Sequence, residues 1–230
     1  AGANNASTGH SSVIYEGSGS TSQRITGFPF SPDLVWLKCR GAAENHNLMD
    51  TVRGWGKRLK TNNTNAEETF SGGGFYPDGF APETTSDDQN KNATTFVAWG
   101  WDAGDSDPVS NTDGSITSTV KASTTNGFSI VTWTGTGANA TVGHGLSSAP
   151  DWVLVKDRDN ANDWIVWHSA LADGTQHLKL NATEASSPNA TYWNSTAPSS
   201  SVISLGNNSK TNGSSQKFIA YCWHDVTGKQ

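Results

Sequence analysis

Charge is scarce in this sequence: Asp, Glu, Lys and Arg make up 16% of 230 residues, and acids outnumber bases to leave a net charge of −6. Clustered Lys and Arg are what displace counterions from phosphates, so nucleic acid is not an expected partner. Long hydrophobic runs are missing as well. No apolar stretch approaches the ~20 residues of a membrane helix and no signal-peptide pattern opens the chain, so a soluble protein without membrane insertion is expected. Cysteine is limited to Cys39 and Cys222, too few for a disulfide framework and without metal-ligand spacing. Buried free thiols are expected, with one bridge as the alternative. Met49 is the only methionine and position 1 is Ala, which points to a processed product or a piece of a longer polypeptide.

What the chain does hold is glycine (24), tryptophan (10), much Asn, Ser and Thr, and enough hydrophobic residues (33%) to fill a core. Its most informative feature is internal. Pro32, Asp33, Val35, Lys38 and Arg40 recur as Pro150, Asp151, Val153, Lys156 and Arg158, a spacing of 118 positions (150 − 32). Gly17, Gly19 and Gly27 recur at that spacing as Gly135, Gly137 and Gly145, and Tyr15 as Trp133. Farther on, RLKTNNT from Arg58 resembles HLKLNAT from His177, YPDGFAP from Tyr76 resembles YWNSTAP from Tyr192, and FVAWGW from Phe96 resembles FIAYCW from Phe218. The spacing drifts by a few residues, as short loop insertions and deletions require. The chain therefore divides into an N-terminal arm over 1–9, a module over 10–105, a linker over 106–125 and a second module over 126–230.

The repeated pieces have strand character. SIVTW, DWVLVK, DWIVWH, SVISLG and KFIAYCW are short, rich in β-branched and aromatic residues, and bounded by Gly, Asn and Asp. Helical periodicity is nearly absent; TNAEET near Asn65 is the one stretch suited to a turn of helix. In DWVLVK both alternating faces are apolar, which predicts a strand covered on both sides with Lys156 and Arg158 at its exit. The expected fold is all-β: two tandem β-sandwich modules of jelly-roll or lectin-like type, related by internal repeat.

The order HGLxxAPDWVLVKDRD, WIVWHSAL, LKLN, WNSTAPSSSVISLG and FIAYCWHDV resembles the tandem repeat module of uncharacterised, tail-fibre-like virion proteins of tailed phages. The resemblance spans Gly127 to Val226 in the second copy. The first copy departs from it, with NLMDTVRGWG where the second has IVWHSALADG, but keeps the Pro-Asp strand and the closing aromatic strand. What the resemblance implies is a virion-surface or fibre protein, extracellular and modular. It carries no catalytic site with it.

An enzyme housed in the shared unit would need its acid and base at matched positions. The matched acids are Asp33 and Asp151, each after Pro at a strand start, where a cap or turn role is expected. Glu184 has no counterpart. His168 beside Ser169 and His224 beside Asp225 point to opposite faces of a strand, and no G-x-S-x-G elbow is present. His144 in GHGL is expected in a turn. DRDNAND from Asp157 offers oxygens but fails the EF-hand template at Ala161 and lacks the turn glycine. The expectation is accordingly no enzyme, no metal and no cofactor. Sugars are held by an aromatic ring under their C–H face with amide or carboxylate groups on the hydroxyls, so Tyr192, Trp193 and Asn194, with Phe75, Tyr76 and Asp78 and also Trp55, are candidate glycan-binding residues, the alternative being that they pack the core. Nine Asn-x-Ser/Thr sequons, among them Asn62, Asn139, Asn181 and Asn194, follow from the composition. The function expected is adhesion of a virion-surface protein to a host glycan. The alternative is a structural subunit of a filament or coat, joined to copies of itself or to fibre neighbours through strand edges and the N-terminal arm, and a carbohydrate-active enzyme ranks last.

Overall fold

A computed structural model describes residues 9–83 and 86–227. The first half runs β1 (His10–Gly17), β2 (Ile25–Thr26), β3 (Leu34–Cys39), β4 (His46–Asp50), β5 (Lys57–Lys60), β6 (Glu68–Thr69), β7 (Gly74–Tyr76), β8 (Gly79–Ala81), α1 (Asp87–Asn90) and β9 (Thr94–Trp101). After β10 (Val109–Asn111) and β11 (Ser118–Ser123) come β12 (Phe128–Thr134), β13 (Ala140–Gly143), β14 (Trp152–Asp157), β15 (Ile165–His168), β16 (Gln176–Lys179), β17 (Ser187–Pro188), α2 (Ala190–Trp193), β18 (Val202–Leu205), α3 (Ser209–Asn212) and β19 (Lys217–Trp223). Pairing is antiparallel throughout these strands, so the fold is all-β.

A six-stranded sheet is ordered β1-β9-β3-β4-β5-β6. Inside an eight-stranded sheet the run β12-β19-β14-β15-β16-β17 has the same order, with β10-β11 added outside β12. The registers coincide as well. Val35 lies opposite Gly100 and Met49, and Val153 lies opposite Cys222 and Trp167. The segment 106–125 is thus no linker: Ile116, Ser118 and Val120 alternate inward, and five of its residues pair with β12. The Asp, Ser and Pro at its start masked that period of two. Nor does TNAEET form a helical turn, since Glu68 and Thr69 enter β6 and the short helices lie elsewhere. The expected N-terminal arm falls, but for Gly9, outside the described residues.

Side-chain alternation sorts each strand between two cores. In β3, Val35, Leu37 and Cys39 face a core closed by the small sheet β2-β8-β7 with Phe28, Trp55 and Phe80. In β14, Val153 and Val155 face the matching core under the two-stranded sheet β13-β18. The alternate residues, Leu34 and Trp36 on β3 and Trp152 and Leu154 on β14, meet in a third core between the two large sheets. A strand packed on both faces reads as a continuous apolar run, which accounts for DWVLVK. Cys39 and Cys222 are free and sit in different cores, which removes the bridge, and burial pushes the Cys222 thiol up to about 12.

Matched residues do matched work. Asp33 Oδ2 accepts the Ala103 N–H at 2.9 Å and Asp151 Oδ2 the Asp225 N–H at 2.9 Å, each two residues past the closing Trp, so both act as caps. The sequence repeat missed a second pair. Buried Asn90 accepts the Ser18 N–H at 2.9 Å and donates to Ser20 O at 3.1 Å; buried Asn212 accepts from Thr136 N–H at 3.0 Å and donates to Ala138 O at 2.6 Å. Each clips the Gly-containing turn after the first strand of its half, and Asn212, a sequon residue, is occupied by that task. Lys156 is buried and donates to Asp157 O at 2.6 Å and Asn160 O at 3.1 Å; burial lowers its pKa to about 8. Lys38 reaches Glu44 O at 3.3 Å in the same manner, so both lysines tie down the loop that follows their strand.

Asn90→Ala and Asn212→Ala should each lower the unfolding free energy by about 1–3 kcal/mol, the cost of stranding a buried backbone group. Urea titration of both variants should give losses of similar size; a loss at one position alone would show that the two clips are not equivalent.

Candidate functional site

The seven candidate glycan-binding residues do not form one surface. Trp193 is fully buried and Tyr192 nearly so, both in the core under β13-β18, and His177 packs its ring on Tyr192 at 4.5 Å. α2 is capped by Asn189, whose side chain accepts the Thr191 N–H, and ends on Asn194 in the left-handed region (φ 50°), which turns the two aromatic rings inward. Asn194 stays outside and accepts from Asn139 at 2.8 Å. Trp55 is buried edge-on to Phe75 at 4.9 Å and stacked on Phe80 at 5.6 Å. These are core residues, for an aromatic ring stabilises most where both faces are dry. Tyr76 is exposed (38%), but the Arg24 guanidinium lies 4.4 Å from its ring centroid and is ion-paired with Asp78. One ring face is therefore taken by a cation.

The resemblance of YPDGFAP to YWNSTAP is also not one of structure. Ile25 pairs with Phe80, and Gly143, its counterpart 118 residues on, pairs with Val202. The strand equivalent to β8 therefore begins well after YWN, whose residues belong to α2 and its C-terminal turn. His144 is a buried turn residue: Nδ1 accepts the Leu146 N–H at 3.2 Å and Nε2 lies 3.1 Å from Ser199 O, with burial lowering its pKa. Asp157 Oδ1 and Oδ2 accept four N–H groups from Asp159, Asn160 and Asn162, so DRDNAND is a self-bonded loop. His168 Nδ1 accepts the Ala170 N–H at 3.0 Å, which occupies it in a turn rather than beside a nucleophile.

The charged groups that matter lie between the large sheets. Asp50 and Arg53 have fully buried side chains joined at 2.5 Å, and Tyr221 donates its hydroxyl to the same Asp50 oxygen at 2.7 Å. Arg53 also donates to Leu48 O, the Tyr221 hydroxyl and Glu67, and Arg158 clasps Glu67 with two bonds of 2.7 and 3.1 Å. Burial alone would lower the Arg53 pKa, but Asp50, Tyr221 and Glu67 outweigh it and the net shift is upward. Burial alone would raise that of Glu67, yet Arg158 and Arg53 hold it below the usual carboxylate range. Asp50, Arg53 and Glu67 come from the first half, Arg158 and Tyr221 from the second, so this network bolts the halves together. Its signal in the sequence was the departure NLMDTVRGWG, which puts Asp50 and Arg53 where the second copy has His168 and Leu171.

At one end of the same core is a cleft of about 250 Å³ lined by His10, Trp101, Asp151, Trp223, His224 and Asp225 among others. The Trp101 and Trp223 rings meet edge to face at 5.7 Å, and His10 lies 4.8 Å from Trp101. Its lining combines the Trp101 and Trp223 indoles and the His10 and His224 rings with the side chains of Asp151 and Asp225.

Arg53→Met should cost about 3–5 kcal/mol, because it leaves Asp50 buried without its partner. Glu67→Gln should cost less and should flatten the acid limb of stability. With a folded pKa below its unfolded one, Glu67 stabilises above pH ~4.3 and the gain is lost as pH falls through the depressed value. Denaturant titrations at several pH values read both effects; an unchanged acid limb would contradict the role of Glu67.

No curated protein matches the chain, and no solved structure does. A family model described as Domain of unknown function (DUF7483) matches residues 5–229. The chain belongs to that family, and the match runs through both halves.

Proposed function

We propose that the chain is a non-enzymatic structural protein: two tandem β-sandwich modules related by internal repeat, acting as a building block of a virion-surface appendage of the tail-fibre kind and assembling with copies of itself or with fibre neighbours. The observation that carries this reading is the equal strand order and register of the two large sheets, with their matched faces packed together. The matched faces close on each other within the chain, so growth into a fibre would use other surfaces, strand edges among them. The resemblance of the second copy to tail-fibre-like modules supports the same setting, outside the host cell.

Adhesion to a host glycan stands second. Its aromatic residues are committed to the cores, and Tyr76 with Asp78 is the remnant with an exposed ring.

Light scattering over a rising concentration series, with negative-stain imaging, should show oligomers or filaments; a strict monomer at all concentrations would overturn the assembly reading. On a glycan array the chain should give no signal. Trp193→Ala should lower stability by about 3–5 kcal/mol, and glycan binding abolished by that change in a chain that stays folded would restore adhesion to first place.

A further inference from the structure

One turn is held differently in the two halves. Thr26, Gly27 and Phe28 recur at the spacing of 118 (144 − 26) as His144, Gly145 and Leu146. Thr26 ends β2 and His144 follows β13, so both triplets leave a strand of a small sheet, and both glycines have positive φ, 115° and 72°. In the first half the Phe28 N–H is accepted by a backbone oxygen, Asp78 O, at 3.2 Å. In the second the Leu146 N–H is accepted by a ring, His144 Nδ1, at 3.2 Å. A carbonyl accepts at any pH of interest, whereas an imidazole nitrogen accepts only while the ring is neutral.

The His144 ring is fully buried, and its bonds fix its tautomer. Nδ1 takes the Leu146 N–H, so the proton sits on Nε2, which donates to Ser199 O at 3.1 Å. The His144 N–H donates to Ser201 O at 3.2 Å as well, so one residue ties the turn between β13 and β14 to the loop that leads into β18. A second proton on the ring sets donor against donor at the Leu146 N–H, a buried conflict that only separation of the two groups relieves. Burial is the largest influence on the ring and lowers its pKa. Ser199 O and Asp113, in the turn after β10, raise it, His224, after β19, lowers it, and the net shift is downward. Asp113 and His224 are the charged or titratable groups that act on it among the described residues. Thr26, the counterpart in the first half, has nothing to titrate.

We propose that His144 is an acid-released pin: a proton taken from solvent onto Nδ1 breaks the hold on the Leu146 N–H and frees the β13-β18 sheet to lift from the second half's outer core, while the small sheet of the first half stays shut. The pin sits beside the Gly143–Val202 pair that starts this sheet, and Tyr192, Trp193, Ile203 and Leu205 lie in the core it covers. Acid therefore uncovers aromatic and aliphatic surface in one half only. With a folded pKa below the unfolded value of ~6.5, His144 contributes its full stability above pH ~6.5 and loses it as pH falls through the depressed value. The inference is independent of the assembly reading.

The test is amide hydrogen exchange of the full chain, corrected for intrinsic rates, at about pH 7.5 and about pH 5.5. Protection over residues 140–146 and 199–205 should fall by up to about tenfold, the limit at the lower pH for one group with an unfolded pKa of ~6.5, and protection over 25–28 and 79–81 should hold. In His144→Asn the amide oxygen takes the place of Nδ1 and does not titrate, so the acid loss should vanish. Ring-nitrogen NMR shifts of the unaltered chain should show the Nε2–H tautomer at about pH 7.5 and a titration that coincides with the loss of protection, so a variant that misfolds does not decide the outcome. A charged ring or the Nδ1–H tautomer at the higher pH overturns the proposal, as does a ring that titrates with protection unchanged. Equal loss over both small sheets overturns it too. So does acid loss that persists in a folded His144→Asn chain, which would belong to His177, the ring packed on Tyr192 under the same sheet.

Discussion

Trp36, Trp101, Trp152 and Trp223 carry indole surface that neither large sheet can hide by itself, and the contact that hides it is the packing of the two sheets' inner faces. At roughly 150–250 Å² per aromatic side chain, this burial is among the larger favourable contributions to the fold. The other features of the middle layer depend on it. Trp164 reaches across it to give its indole N–H to Lys60 O at 2.9 Å, and the Asp50, Arg53 and Tyr221 cluster is dry because the sheets close over it. In water those charges would contribute little; in a closed interface each depends on its partners, so a buried network fixes register more than it adds stability.

Two outer cores and one inner core follow from a single rule, the alternation of side chains along a strand. β3 and β14 each send one set outward to a small sheet and the other inward to the opposite half. The repeat then explains why Asp33 and Asp151, and Asn90 and Asn212, make the same bonds at corresponding places. Where the halves differ, in the Asp50 and Arg53 pair and in the strands β10 and β11, the difference sits at the junction between them or along the free edge.

Much of the fold was legible in the sequence, and the reasons are local. Gly, Asn and Asp turns bound short β-branched and aromatic runs, and the spacing of 118 places β1, β3, β4 and β5 on β12, β14, β15 and β16 to within a residue. The capping roles of Asp33 and Asp151 followed from their place after proline. The strands in 106–125 were hidden by polar composition: β11 is paired with both β10 and β12 but carries Thr119 and Lys121 on either side of Val120. The candidate site was the poorly legible part. Tyr192 and Trp193 lie in an Asn-rich segment that suggests exposure, but a single helical turn, capped by Asn189 and ended by Asn194, faces them inward. Composition tells that a segment is polar; it does not tell which way four residues of helix rotate. The Glu67 and Arg158 contact joins residues 91 apart in sequence, beyond any local pattern.

The middle core makes one cooperative block of the two halves, and calorimetry tests this most directly. Thermal unfolding of the full chain should give a single transition whose calorimetric enthalpy equals its van't Hoff enthalpy. Two separable transitions, or a van't Hoff enthalpy near half the calorimetric one, would mean that the halves fold independently and that the shared core is not what holds the chain together.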